Sequence, residues 1–120
     1  MKKILAIITA ALLFSCTSPE TYKQLAGHWN CVKWTQAGQD KVKNFNNIYF
    51  RFHEDKTYFS KIRNVMDSGT YVILGSNLNV MPMGKLEIEV KMLTFTPDTL
   101  CLLMNNGGIE EEMTLVKQNR

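Results

Sequence analysis

The 120-residue sequence lacks any apolar run long enough to cross a bilayer. Its longest, Ile4 to Phe14, spans eleven residues and is broken by Thr9, against about 20 needed for a spanning helix. Histidine is scarce. His28 and His53 are the only two, and no HxH or HxxxH spacing joins them, so no metal pair is expected. Cysteine occurs three times, as Cys16, Cys31 and Cys101, without the CxxC spacing of a redox or zinc motif. No residue pattern marks a base beside a nucleophile, so neither an enzyme nor a cofactor is expected. A dominant charge is missing too. The formal charge of +3 comes from 14 basic and 11 acidic residues, and Lys2 and Lys3 precede the apolar run. Without these two, 12 basic residues face 11 acidic ones, a balance of +1. With no clustered basic face, nucleic-acid binding is not expected. The sequence contains no internal repeat, no low-complexity tract and no long helical period.

What is present begins with an N-terminal leader. Lys2 and Lys3 form a positive start, and the Ile4–Phe14 run has the length of a signal-peptide apolar region. Leu13-Phe14-Ser15-Cys16 then resembles the lipobox of a bacterial lipoprotein signal. That resemblance implies cleavage before Cys16 and lipidation of its thiol. Two or three acyl chains on Cys16 would hold the protein on a membrane without a spanning helix. Thr17, rather than Asp, follows the cysteine, which under the usual sorting pattern implies the outer membrane of the cell envelope, with the periplasmic or surface face open. The expected organisation is a signal peptide over 1–15, a lipidated tether with a short helical turn over 16–26, and one β-domain over 27–120.

From Gly27 onward the apolar pattern has period two. Strands are expected over His28–Thr35, Phe45–His53, Lys56–Arg63, Gly69–Leu74, Leu78–Met81, Lys85–Phe95, Thr99–Met104 and Ile109–Lys117, with loops over 36–44 and 64–68. In the sixth, Leu86, Ile88, Val90 and Met92 alternate with Lys85, Glu87, Glu89 and Lys91, the pattern of a strand with one wet face. Asn105-Asn106-Gly107-Gly108 signals a hairpin turn. Eight short strands joined by tight turns predict an all-β, up-and-down antiparallel barrel, whose closure leaves no exposed edge. Eight strands enclose an interior just wide enough for side chains or one small ligand. Phe50, Phe52, Tyr58, Leu86, Ile88, Val90, Met92, Leu100 and Leu102 form the expected interior set, lining a ligand cup or filling a core. The acidic run Glu110-Glu111-Glu112 reads as a solvated face. Cys31 and Cys101 either form a disulfide, in an oxidising envelope, or sit as buried small hydrophobes.

Several short motifs, in order, resemble lipocalin-like domains. Leu25-Ala26-Gly27-His28-Trp29 is similar to the helical turn and Gly-x-Trp that open such barrels. Phe50 to Tyr58 resembles their aromatic strand, acidic turn and aromatic strand, with Lys56 where glycine is common. Gly69-Thr70-Tyr71 and Thr96-Pro97-Asp98-Thr99-Leu100 resemble later motifs. The resemblance implies that Trp29 plugs one end of the barrel; Trp34 either lines the interior or sits at the rim. It also implies a non-enzymatic, monomeric lipoprotein that binds a small apolar ligand. The alternative is a solid-core scaffold that engages another envelope protein. The shortness of the chain implies a shallow cup.

Overall fold

The computed structural model describes residues 18–118. Cys16 and the leader lie outside the described residues. A short helix of seven residues, α1 (Pro19–Leu25), leads into nine strands. These are β1 (Gly27–Gln36), β2 (Gln39–Asp40), β3 (Ile48–Phe52), β4 (Thr57–Ile62), β5 (Val65–Leu74), β6 (Asn77–Pro82), β7 (Ile88–Phe95), β8 (Thr99–Asn106) and β9 (Ile109–Lys117). From β3 to β9 each strand pairs antiparallel with the next, and β1 pairs with both β3 and β9. The result is a closed, eight-stranded, up-and-down barrel. The two-residue β2 folds back on the end of β1, pairing Thr35 with Asp40 and Gln36 with Gln39.

Alternation drives most of this. In β9, Glu111, Met113 and Leu115 point inward while Glu110 and Glu112 remain exposed, as a period-two backbone requires. Two strands break the period. The β1–β9 register shifts between Cys31 and Lys33, leaving Val32 49% exposed. This bulge turns Trp29, Cys31 and Trp34 all inward, although strict alternation would send Trp34 out. The β7–β8 register shifts between Met92 and Thr94 in the same way, and Leu93 is left outside.

Most boundaries differ from the expected ones by one or two residues, and four differences change the reading of a segment. The 64–68 segment is not a loop, because a two-residue turn at Arg63-Asn64, with Arg63 at φ 60, lets β5 start at Val65 in register with Ile62. Asn47, at φ 67, delays β3 to Ile48. The loop expected over 36–44 contains β2. After the turn at Gly84, at φ 73, the chain rejoins the sheet only at Ile88. Ser18 occupies the N-cap of α1 in extended geometry, but its hydroxyl meets Thr21 Oγ1 at 3.4 Å and caps no backbone N–H.

One end of the barrel is sealed by α1. Trp29 is fully buried there, and its Nε1 donates to Leu25 O at 2.7 Å. Lys117 Nζ donates to Gln24 O at 2.8 Å and lies 5.2 Å from the Trp29 ring centre. The Tyr22 hydroxyl accepts from the Ile73 amide at 3.0 Å, tying the helix to β5. Tyr71 beside it donates to His53 O at 2.6 Å. Leu25, Leu100 and Leu115 fill the layer with Trp29 and are fully buried.

Gly69 has no room for a side chain. A Cβ there would stand 2.1 Å from the Met81 carbonyl oxygen on β6. Gly75 sits in an open turn at φ 63 with no atom near its missing Cβ. Gly69→Ala is therefore expected to destabilise the barrel by about 3 kcal/mol through backbone overpacking, against about 1–2 kcal/mol for Gly75→Ala from the left-handed conformation alone. Urea unfolding midpoints of the two variants test the ranking.

Candidate functional site

The barrel interior beyond the Trp29 layer holds a cavity of about 150 Å³. Of the nine residues expected to face inward, Phe50, Phe52, Tyr58, Ile88, Val90 and Leu102 line it. Met92 and Leu100 are buried in the core but are not part of the cavity wall. Leu86 is a correction. It is 88% exposed, because it precedes the start of β7 and the sheet does not impose its alternation there.

The wall also includes residues that sequence reasoning missed: Ile62, Leu78, Val80, Pro82, Met104 and Met113, with Ser60 and Asp67 as polar members. Leu78 and Val80 carried a usable signal, since period two from Leu78 places Val80 and Pro82 on the same face. Asp67 was hidden by the supposed loop. Its carboxylate accepts from the Ser68 amide at 2.9 Å and lies 3.5 Å from Lys85 Nζ. Burial, with the Asp67 charge adding to it, pushes the Tyr58 hydroxyl up to about 12.

Trp34 lines the cavity and is oriented by a buried carboxylate. Glu111 is only 2% exposed. It accepts from Trp34 Nε1 at 2.9 Å, from Gln36 Nε2 at 3.2 Å, and from Lys41 Nζ at 3.2 Å to each oxygen. Lys41 Nζ also lies 4.7 Å from the Trp34 ring centre. The acidic run is thus not wholly a solvated face, since inward alternation buries its middle member with Met113 and Leu115. A buried carboxylate is tolerated only with such partners. The polar cluster and the apolar cavity share Trp34 as a common wall.

Cys31 and Cys101 are both free. Of the two readings open for this pair, the disulfide is excluded by the sheet: Cys31 pairs opposite Leu115 and Cys101 opposite Thr114, so β9 stands between them. Two strand spacings come to about 9.5 Å, beyond the roughly 7 Å Cα reach of a disulfide. They also point to opposite faces. Cys31 is buried inside, while Cys101 meets Glu112 and Thr114 outside at 3.7 Å. Burial pushes the Cys31 thiol up to about 11, partly offset by the Lys33 carbonyl contact, and burial raises Cys101 as well. Neither thiol has the depressed pKa of a nucleophile.

His28 lies on the outer face, stacked 4.6 Å from Tyr49, with Arg51 Nε donating to its Nδ1 at 3.0 Å. Among the described residues no group of three or more His, Cys, Asp or Glu side chains could hold a metal ion.

A family model described as a lipocalin-like domain matches residues 25–102. A solved structure of a bovine lipocalin allergen, Bos d 2, superposes with a TM-score of 0.53 at 10% identity, over 82% of this chain and 76% of that one. A complex of bovine odorant binding protein with a selenium-containing odorant superposes with a TM-score of 0.51 at 17% identity, over 82% and 73%. At these identities the likeness establishes the fold. No curated protein matches the sequence.

The raised Cys31 and Tyr58 groups give the barrel an alkaline limit. Both are held neutral in the folded state, so the stability they contribute is full below about pH 9, the ordinary value of the thiol. It is lost as pH rises through about 11 and 12. Urea midpoints are expected to stay level from pH 7 to 8 and fall between pH 9 and 11. Cys31→Ala should flatten that fall, and an unchanged slope in this variant would refute the assignment to Cys31.

Proposed function

Because this chain belongs to the lipocalin-like domain family, we propose that it is a membrane-tethered, non-enzymatic binding module that holds one small apolar ligand inside its barrel. The observation that carries this reading is the cavity itself, about 150 Å³, walled mainly by aromatic and aliphatic side chains. Apolar enclosure with few polar groups is the usual character of a small-molecule site. A void of this size takes a molecule of roughly benzene's dimensions. The odorant binding protein that shares the fold binds, by its name and its complex, an odorant. The lipobox-like Leu13-Phe14-Ser15-Cys16 supports the tether, with acyl chains on Cys16 holding the barrel to the outer membrane as a monomer.

A second reading has its own observation. Val65, Met66, Met83 and Leu86 are 62%, 63%, 76% and 88% exposed, and all four lie at the barrel end away from α1. Exposed apolar surface of this kind suits contact with another envelope protein, with the barrel serving as a scaffold.

Titration with an apolar fluorescent probe such as N-phenyl-1-naphthylamine separates the two. Saturable one-to-one binding is expected, and Val90→Trp, which fills the cavity, should weaken it at least tenfold while far-UV circular dichroism is unchanged. Failure to bind any apolar probe would favour the scaffold. Cys16→Ser is expected to move the protein from the membrane fraction to the soluble fraction. Undiminished membrane recovery with unchanged mass would refute the lipid tether.

A further inference from the structure

The barrel wall is not sealed along its whole height. β7 pairs with β6 from its first residue, Ile88 opposite Val80. β8 pairs with β9 to its last, Asn106 opposite Ile109. Yet the β7–β8 ladder stops at Lys91 opposite Leu103. Ile88–Val90 and Met104–Asn106 therefore face each other without ladder hydrogen bonds. A cavity of about 510 Å³ occupies this place. Its lining is mixed: Met104, Glu111 and Ile88, the last 45% exposed at the rim, stand at inward positions of the alternation, whereas Glu87, Glu89 and Asn105 lie outside. Successive side chains of an intact sheet point to opposite faces; here one space touches both sets where the unpaired start of β7 and end of β8 stand side by side at the rim. Ile88 and Met104 also line the interior cavity, so the two spaces adjoin at these side chains.

We propose that this lateral cleft is the second compartment of the ligand site, and that the ligand is a single-chain amphiphile without an anionic head. This rests on the cup reading above. The tail would fill the interior cavity, and the rest of the chain would leave between β7 and β8. The interior alone takes only a molecule of about benzene's size. The two compartments together fall within the about 300–1,000 Å³ of ordinary ligand pockets. The outer lip sets the head group. Glu87 and Glu89 accept from Asn79 and Asn77 at 2.6 and 3.0 Å, and among the described residues neither is in an ion pair. Their charge repels a carboxylate head and accepts a hydroxyl or amine.

The test uses the mature chain carrying Cys16→Ser, so that no attached acyl chain competes. Alkanols from hexanol to dodecanol are titrated by calorimetry. Affinity is expected to rise roughly fourfold per added methylene across the series. Dodecanoate is expected to bind at least tenfold more weakly than dodecanol, and Glu87→Gln with Glu89→Gln should remove most of that difference. Asn105→Trp, on the lip and away from the interior, should weaken dodecanol at least tenfold and leave hexanol unchanged. If Asn105→Trp does not fold, Glu89→Trp from the opposite lip carries the same test. Affinity that levels off at hexanol, or a lip variant that spares dodecanol, overturns the cleft and leaves the cup reading standing. Dodecanoate binding as well as dodecanol overturns the head-group assignment. No binding of any alkanol defeats the cup and the cleft together.

Discussion

This fold depends on one strand having two partners. β1 gives its first residues, Gly27 to Asn30, to β3, and gives Trp29 to Gln36 to β9. These two pairings close the sheet on itself, so none of its eight long strands is left as an edge. Closure also makes a wet side and a dry side out of a chain with little apolar excess. The inward residue of each pair loses water on every strand at once, which no single hairpin of this length could achieve.

The two ends of that enclosure differ in chemistry. At the α1 end, every polar group near Trp29 has a local answer: its own Nε1 goes to Leu25 O, Lys117 to Gln24 O, and the Ile73 amide to Tyr22. Those bonds bring the helix down over the barrel and leave Leu25 and Trp29 without solvent contact. At the other end the interior meets a carboxylate, Glu111, held by Trp34, Gln36 and Lys41. A charge inside a barrel must keep its partners close. The cluster therefore fixes the Trp34 ring against the cavity and places polarity at the depth where the wall begins to part.

The parting of β7 from β8 follows from the same geometry. Gly84 carries the chain away from the sheet after Pro82, and β7 returns beside β6 at Ile88 while β8 is already committed to β9. Lower down, the Leu93 bulge keeps Met92 and Leu102 together inside. The wall is thus closed where the core is deepest and open where the cavity is shallowest.

Much of the architecture was legible in the chain. Period-two segments, tight-turn residues and the order of Gly27-x-Trp29, the Phe50–Tyr58 pair of aromatic strands and Gly69-Thr70-Tyr71 were enough for an eight-stranded barrel with Trp29 at one end, because side-chain alternation and turn preference are local properties. So was much of the interior, with Phe50, Phe52, Tyr58, Ile88, Val90 and Leu102 on the cavity wall. What the chain could not disclose depends on neighbouring strands. A bulge between Cys31 and Lys33 exists only because β9 offers one residue opposite two, and it alone decides that Trp34 faces inward. Glu111 is buried because Lys41 and Gln36 arrive from β1 and the segment after β2. Leu86 faces solvent because the sheet has not yet reclaimed the chain. The separation of Cys31 from Cys101 reflects the strand that runs between them. Period and turn chemistry are written residue by residue, whereas register, bulges and the place where a ladder ends come from pairing between distant segments, and only the folded barrel sets them.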